Sequence, residues 1–116
     1  MKKRYRIKKN SEIDAIFSQK RVKGNAYFLI YRVENVSNSS FRFALSIGKR
    51  YGNAVERNRA KRRIRMIISE VKDSLKPRAS FVVVIKPESK ALTYQEMRRY
   101  LLALLKKSRI MENGHV

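Results

Sequence analysis

A run of cations at helical spacing is the part of this sequence with chemistry to offer. Gly52 to Arg65 reads Gly-Asn-Ala-Val-Glu-Arg-Asn-Arg-Ala-Lys-Arg-Arg-Ile-Arg. At about 100° per residue, Arg57, Asn58, Lys61, Arg62 and Arg65 fan across one side of a helix, and Arg59 and Arg63 carry the basic surface further round. Ala60, Ile64, Ile67, Ile68, Val71 and Leu75 fall on the opposite side. The like-charge pairs Arg57/Lys61, Lys61/Arg65 and Arg59/Arg63 each cost about 0.2–0.5 kcal/mol in an isolated helix. Burying each isoleucine stabilises by about 1.5–3 kcal/mol. Packing therefore holds the helix and leaves a cationic face that nothing nearby neutralises. Solvated helix faces ordinarily mix signs, whereas this one has the single acid Glu56, at its start. Such a face suits a polyanion, and an amide among guanidinium groups supplies donors and acceptors for phosphate, ribose and base edges.

Other chemistries lack their residues. A two-metal nuclease needs clustered carboxylates, and an acid-base nuclease needs His or Glu set beside Lys or Arg. The nine acids are scattered, mostly at helix starts and exposed helix positions, and suggest no metal site. Cysteine is absent, which removes disulfides, thiolate ligands and a thiol nucleophile, and the sole histidine, His115, is next to last. Gly48 and Gly52 lack the Gly-Lys-Ser/Thr ending of a phosphate-binding P-loop. The chain is expected to bind nucleic acid without cutting it, with no metal or cofactor held by the protein alone.

Composition agrees with that expectation. The 116 residues suffice for one domain and one modest core. Lys and Arg number 29 against 9 Asp and Glu, a formal net charge of +20. A field of this size draws in polyanions and makes their binding salt-dependent. Nucleic acid is the first candidate and an anionic membrane surface the second. The opening Met-Lys-Lys-Arg-Tyr-Arg resembles the start of a signal peptide, but no apolar core follows it, and no run approaches the length of a membrane span. The expectation is a soluble cytoplasmic protein with no membrane partner.

The elements that must hold the basic helix can be read in order. Residues 1–9 form a basic segment, expected to be a mobile arm for phosphate contacts. A first helix starts near Asn10 or Ser11, where Ser11 and Asp14 make a cap signature, and runs to about Lys20 with Ile13, Ile16 and Phe17 on one side. After a turn with room for a short strand near Val22, Tyr27 to Val33 alternates as a strand, and Phe41 to Gly48 as a second one, expected to form a hairpin with the first. Lys49, Arg50 and Tyr51 lead to the basic helix, where strand-end side chains and helix N–H groups could converge on one phosphate. Gly52, Asn53 and Glu56 suit a corner and a capping box. The helix ends by Lys76, ahead of Pro77. Ser80 to Ile85 is almost wholly apolar, as a central strand buried on both faces requires. Thr93 and Glu96 open a last helix to about Lys107, with Tyr94, Met97, Leu101, Leu104 and Leu105 as its core stripe. Residues 108–116 read as a frayed tail. The order is α-β-β-α-β-α, an α+β chain in one domain over 1–116. Its β-α-β unit would by general rule cross over right-handed between parallel strands.

The stretch from Gly52 to Arg65 resembles the Arg-Asn-Arg helix of the protein subunit of bacterial ribonuclease P. The likeness extends to Tyr5-Arg6-Ile7-Lys8-Lys9-Asn10, to the strand from Tyr27 to Tyr31, and to the closing strand and helix. It covers nearly the whole chain. The resemblance implies a two-layer α+β sandwich with a left-handed β-α-β crossover. It also implies an accessory role beside a catalytic RNA, which with bound magnesium removes the 5′ leader of precursor tRNA. Contacts to the catalytic RNA then fall to Arg57, Asn58, Arg59, Lys61, Arg62 and Arg65. A cleft between the first helix and the sheet, with Phe17, Tyr31, Lys49 and Arg50, would receive the single-stranded leader, and no protein partner is required. Ile13 departs from the family, which often has phenylalanine there. The alternative is a ribosomal or RNA-chaperone type protein without a role in cleavage, followed by a DNA-binding regulator and a protein-only nuclease.

Overall fold

The structure is a computed structural model and describes residues 2–111. A 3-10 turn at Lys3–Tyr5 precedes helix α1 (Asn10–Ser18), strands β1 (Val22–Gly24), β2 (Phe28–Glu34) and β3 (Arg42–Ile47), and a 3-10 turn at Lys49–Tyr51. Helix α2 (Ala54–Glu70), strand β4 (Ala79–Ile85) and helix α3 (Tyr94–Lys107) complete the fold, with a 3-10 turn before and after β4. The short strand near Val22 is present as β1, antiparallel to β2.

The four strands lie in the order β1-β2-β4-β3. The β2–β3 hairpin expected from the alternation of both segments does not form. β4 inserts between them, antiparallel to β2 and parallel to β3. The reason lies in β4 itself: Phe81, Val82, Val83 and Ile85 are all buried, and a strand apolar on both faces belongs in the middle of the sheet. The segment from β3 through α2 to β4 is accordingly a β-α-β unit with adjacent parallel strands.

Side-chain alternation sends Phe28, Ile30, Phe43, Phe81, Val83 and Ile85 to one face, where α2 contributes Ala60, Ile64, Ile67 and Ile68 and α3 contributes Met97, Leu101, Leu104 and Leu105. This two-layer core holds most of the buried apolar surface. The other face is covered only in part. There Ile16 of α1 packs on Val82 and Ile7, with Ile13, Phe17, Tyr31, Val33 and Ala44 half-buried round them.

Both chain ends correct the sequence reading. Residues 2–9, expected to be a mobile arm, carry Tyr5 and Ile7 into the interior at 8% and 6% exposure. Tyr5 stacks on Phe41 at 4.6 Å, and the Ile7 N–H donates to the Phe43 carbonyl at 3.0 Å. Two apolar side chains among the cations suffice to anchor the segment. At the other end Ile110 is fully buried and Met111 bridges to Leu75, so the tail is packed through Met111; the remainder of 108–116 lies outside the described residues. The expected Ser11 cap is also absent, since the residue before α1 is Lys9 and no side chain caps the helix.

Candidate nucleic-acid interface

The basic helix is held as its sequence requires. Asn53 Oδ1 accepts from the Glu56 N–H and Glu56 Oε1 accepts from the Asn53 N–H, both at 2.9 Å, which completes the capping box. Gly52 is needed at the corner. Its φ is 158°, and a Cβ there would collide with the Glu56 carboxylate. Glu56 also pairs with Lys90 at 2.8 Å, and that ammonium, followed by the Asn53 N–H, holds its carboxyl below the usual range. The capping carboxylate thus takes the Asn53 N–H, and the Asn53 side chain takes that of Glu56. Lys49 and Arg50 are exposed ahead of this turn and Tyr51 is buried.

Packing of Ala60, Ile64, Ile67 and Ile68 turns the cations outward in three strips. Asn58 and Arg62 are exposed on the crest. Arg59 and Arg63 line a shallow groove with Tyr51 and Lys90. Lys61 and Arg65 turn the other way, into a groove of about 180 Å³ shared with Ile13 of α1, Ala44 of β3 and Arg6. Arg57 is half-buried at the start of the helix. Burial, and then the nearby Arg6, lower the Arg65 pKa. Arg6 belongs to this surface; the sequence offers it only as part of a basic arm for phosphate contacts, and its place beside α2 comes from the packing of that segment. None of Arg57, Arg59, Lys61, Arg62, Arg63 and Arg65 has a carboxylate partner among the described residues.

On the α1 side of the sheet, Phe17 and Tyr31 meet edge to face, with ring centroids 4.8 Å apart and planes at 78°. Both are half-buried, so they pack on one another and still present ring surface. Next to the row Tyr31–Val82–Ala44 runs the row Leu29–Val84–Ser46, which lies outside the cluster that packs round Ile16 of α1. Its three side chains are half-buried, and Leu29 and Val84 with the small Ser46 form a largely apolar floor beyond the aromatic pair. Sequence reasoning passed over them, although Leu29 shares the parity of Tyr31 and could have been found from it. Lys49 and Arg50 stand beyond this floor, past the end of β3. Ala44 to Ile47 alone spans roughly 10 Å at about 3.3 Å per residue. The structure therefore brings Phe17 and Tyr31 into contact and sets Lys49 and Arg50 apart from them, past the end of β3.

At the opposite end, Arg42 Nη1 donates to Glu12 Oε2 at 2.5 Å and ties α1 to β3. The groove of Lys61, Arg65, Ile13 and Ala44 makes the basic helix continuous with the α1 face. Such a surface offers phosphate contacts on one side and stacking or apolar contacts for unpaired bases on the other. Among the described residues no group of three or more His, Cys, Asp or Glu could hold a metal ion, and no helix is long and apolar enough to cross a membrane.

A family model described as Ribonuclease P matches residues 1–109. The ribonuclease P protein component of Onion yellows phytoplasma (strain OY-M) is 46% identical over 111 residues, which is 96% of this chain and 79% of that one. That of Acholeplasma laidlawii (strain PG-8A) is 42% identical over 112 residues, covering 97% and 96%. Among solved structures, the RNase P protein of Staphylococcus aureus matches with a TM-score of 0.87 at 30% identity, covering 93% of this chain and 98% of that one. The RNase P protein from Thermotoga maritima shares the fold, with a TM-score of 0.80 at 24% identity.

Proposed function

The chain belongs to the ribonuclease P protein family, and we propose that it acts as the accessory protein subunit of a ribonucleoprotein that removes the 5′ leader of precursor tRNA. In this reading a partner RNA, with magnesium, carries the chemistry. The outward face of α2, through Arg57, Asn58, Arg59, Lys61, Arg62 and Arg65, contacts that RNA. The α1 face, with Phe17 and Tyr31 over the floor of Leu29, Val84 and Ser46, receives the single-stranded leader, and Lys49 and Arg50 meet its phosphates at the far end.

The mechanism follows from charge and from what the product lacks. Two RNAs repel, and cations fixed on a folded surface offset that repulsion without being recruited from solution, so less magnesium is required. Leader contacts exist in the precursor and vanish once the leader is cut, so substrate is held in preference to mature tRNA.

The observation that carries the reading is the row of α2 cations without carboxylate partners, continuous through Lys61 and Arg65 with the aromatic face of the sheet. The test is cleavage of a leader-bearing precursor tRNA by a bacterial ribonuclease P RNA at low magnesium, with and without this chain. Cleavage that requires both supports the accessory role. No stimulation at any salt concentration, with a matched RNA and folded protein, refutes it in favour of a general RNA-binding role.

A further inference from the structure

A second basic surface lies at the opposite edge of the sheet from the α2 groove. Six cations, Lys20, Arg21, Lys23, Arg32, Lys107 and Arg109, line a groove of about 450 Å³ between the β1–β2 edge and the end of α3. It continues toward Lys76 and Arg78, where Glu34 is the one carboxylate on its wall.

Several features that a fold ordinarily avoids coincide there. Among the described residues, the two buried side-chain polar atoms without a hydrogen-bond partner are Arg32 Nε and Ser108 Oγ, and both residues line this groove. The two non-glycine residues with positive φ among the described residues are Lys20 at 55° and Arg109 at 59°, and both line it too. These positions follow the ends of α1 and α3, where glycine is the usual occupant of the left-handed conformation. Arg21 and Arg32 face each other across the β1–β2 ladder, the Arg32 N–H donating to the Arg21 carbonyl at 3.0 Å, and like charges directly opposite are unfavourable. Burial, and then Arg21, lower the Arg32 pKa.

The helix ends account for only part of this. Each C-terminus offers about half a negative charge, so two of them offset about one of six cations. None of the six has an ion-pair partner among the described residues. Strain, orphaned donors and like-charge pairs gathered in one groove are what a site looks like when its counter-charge comes from a ligand.

We propose that this groove binds the phosphodiester backbone of RNA, as a contact separate from the α2 face and the α1 cleft. Two or three strand spacings of about 4.8 Å divide it from the α2 groove beside β3. A partner that fills both therefore engages the protein on opposite edges. Arg32 and Arg109 supply guanidinium forks, which match phosphate oxygens. The inference rests on the RNA-binding role proposed above, and its test separates the two.

The experiment measures affinity as a function of salt for the full chain, with bacterial ribonuclease P RNA alone and with the RNA plus leader-bearing precursor tRNA. The variant is Lys20→Gly with Arg109→Gly, which removes two cations while placing glycine where the backbone is left-handed. Thermal stability is expected to hold or rise. The slope of log K against log salt is expected to become shallower by about 1.4–1.8, from 0.7–0.9 per phosphate contact. A change with the RNA alone assigns the groove to the catalytic RNA; a change only in the ternary complex assigns it to the substrate. Arg21→Ser, at an exposed position, must reproduce about half the shift. An unchanged slope in both arms overturns the proposal, provided that Arg62→Ala still weakens binding. If Arg62→Ala is also silent, the α2 assignment falls as well.

Discussion

Truncating Ile16 to alanine should release α1 from the sheet and leave the main core standing. Ile16 is 2% exposed and packs on Val82 and Ile7, in a cluster separate from the one between the sheet and α2 and α3. Losing three carbons costs about 2.4 kcal/mol at about 0.8 kcal/mol per methylene, and the cavity brings the total to about 3 kcal/mol. Little remains to hold α1. Its nine residues are too few for a stable isolated helix, since about 12–15 are marginal. Phe17 and Ile13 are half-buried, and the Glu12–Arg42 pair is partly exposed, with side chains at 24% and 30%, where such pairs contribute about 0–1 kcal/mol. Hydrogen exchange of α1 amides should therefore accelerate on the order of a hundredfold, at about 1.4 kcal/mol per decade, while amides of β4 and α2 keep most of their protection. Precursor tRNA affinity in the reconstituted complex should fall as the Phe17–Tyr31 contact is lost, with assembly on ribonuclease P RNA retained. The matched control Ile64→Ala, in the main core, should lower protection everywhere. Uniform acceleration in Ile16→Ala would refute the separate docking of α1. Faster α1 exchange with unchanged precursor affinity would refute the cleft.

Arg62→Ala is expected to weaken assembly with the catalytic RNA, and Tyr31→Ala to weaken precursor binding; a binding comparison of precursor with mature tRNA separates the two effects, and identical profiles would collapse the division of sites. Asn53→Ala removes the cap acceptor and should cost about 1 kcal/mol of stability in urea melts. The carboxyls of Glu56, Glu70 and Glu96 are held below the usual range by Lys90, by Arg98 and by the Thr93 N–H respectively. Their stabilisation is present above the unfolded value of about 4.3 and is lost as pH falls through the folded values. Stability should therefore decline below about pH 4 to 5, and Glu56→Gln should flatten that limb. Raising salt from a low concentration should raise the melting temperature of the free chain, by screening its +20 self-repulsion, while weakening its RNA binding; movement of both in one direction would refute the charge argument.

Local signals carried the elements further than their partners. The Asn53–Glu56 and Thr93–Glu96 capping boxes are in place, because each is complete within four residues. The apolar run from Phe81 to Ile85 is central, as its two buried faces demand. The β2–β3 hairpin was misjudged because alternation fixes which face a strand buries and says nothing about its neighbour. Here α2 lets β4 return beside β3, and β2 takes the other edge of β4. The packed N-terminal segment was hidden for a different reason. Tyr5 and Ile7 are two apolar residues in a basic run, and only the stack on Phe41, 36 residues later in the chain, gives them a place.

The candidate site was legible where it is helical and less so where it is assembled from strands. Periodicity alone placed the α2 cations outward, whereas Leu29, Val84 and Ser46 become neighbours only through the pairing of three strands. The acids explain why the basic surfaces stay open. The three described ion pairs each join different elements: Glu12 of α1 with Arg42 of β3, Glu56 of α2 with Lys90 of the turn after β4, and Glu70 of α2 with Arg98 of α3. None of their cations lies in the outward rows of α2. A chain with nine acids has few to place, and placing them at junctions positions the helices while leaving α2 charged. The same distribution that makes the free protein repel itself leaves its outward cations available, and a bound polyanion would offset that repulsion by preferring the folded state.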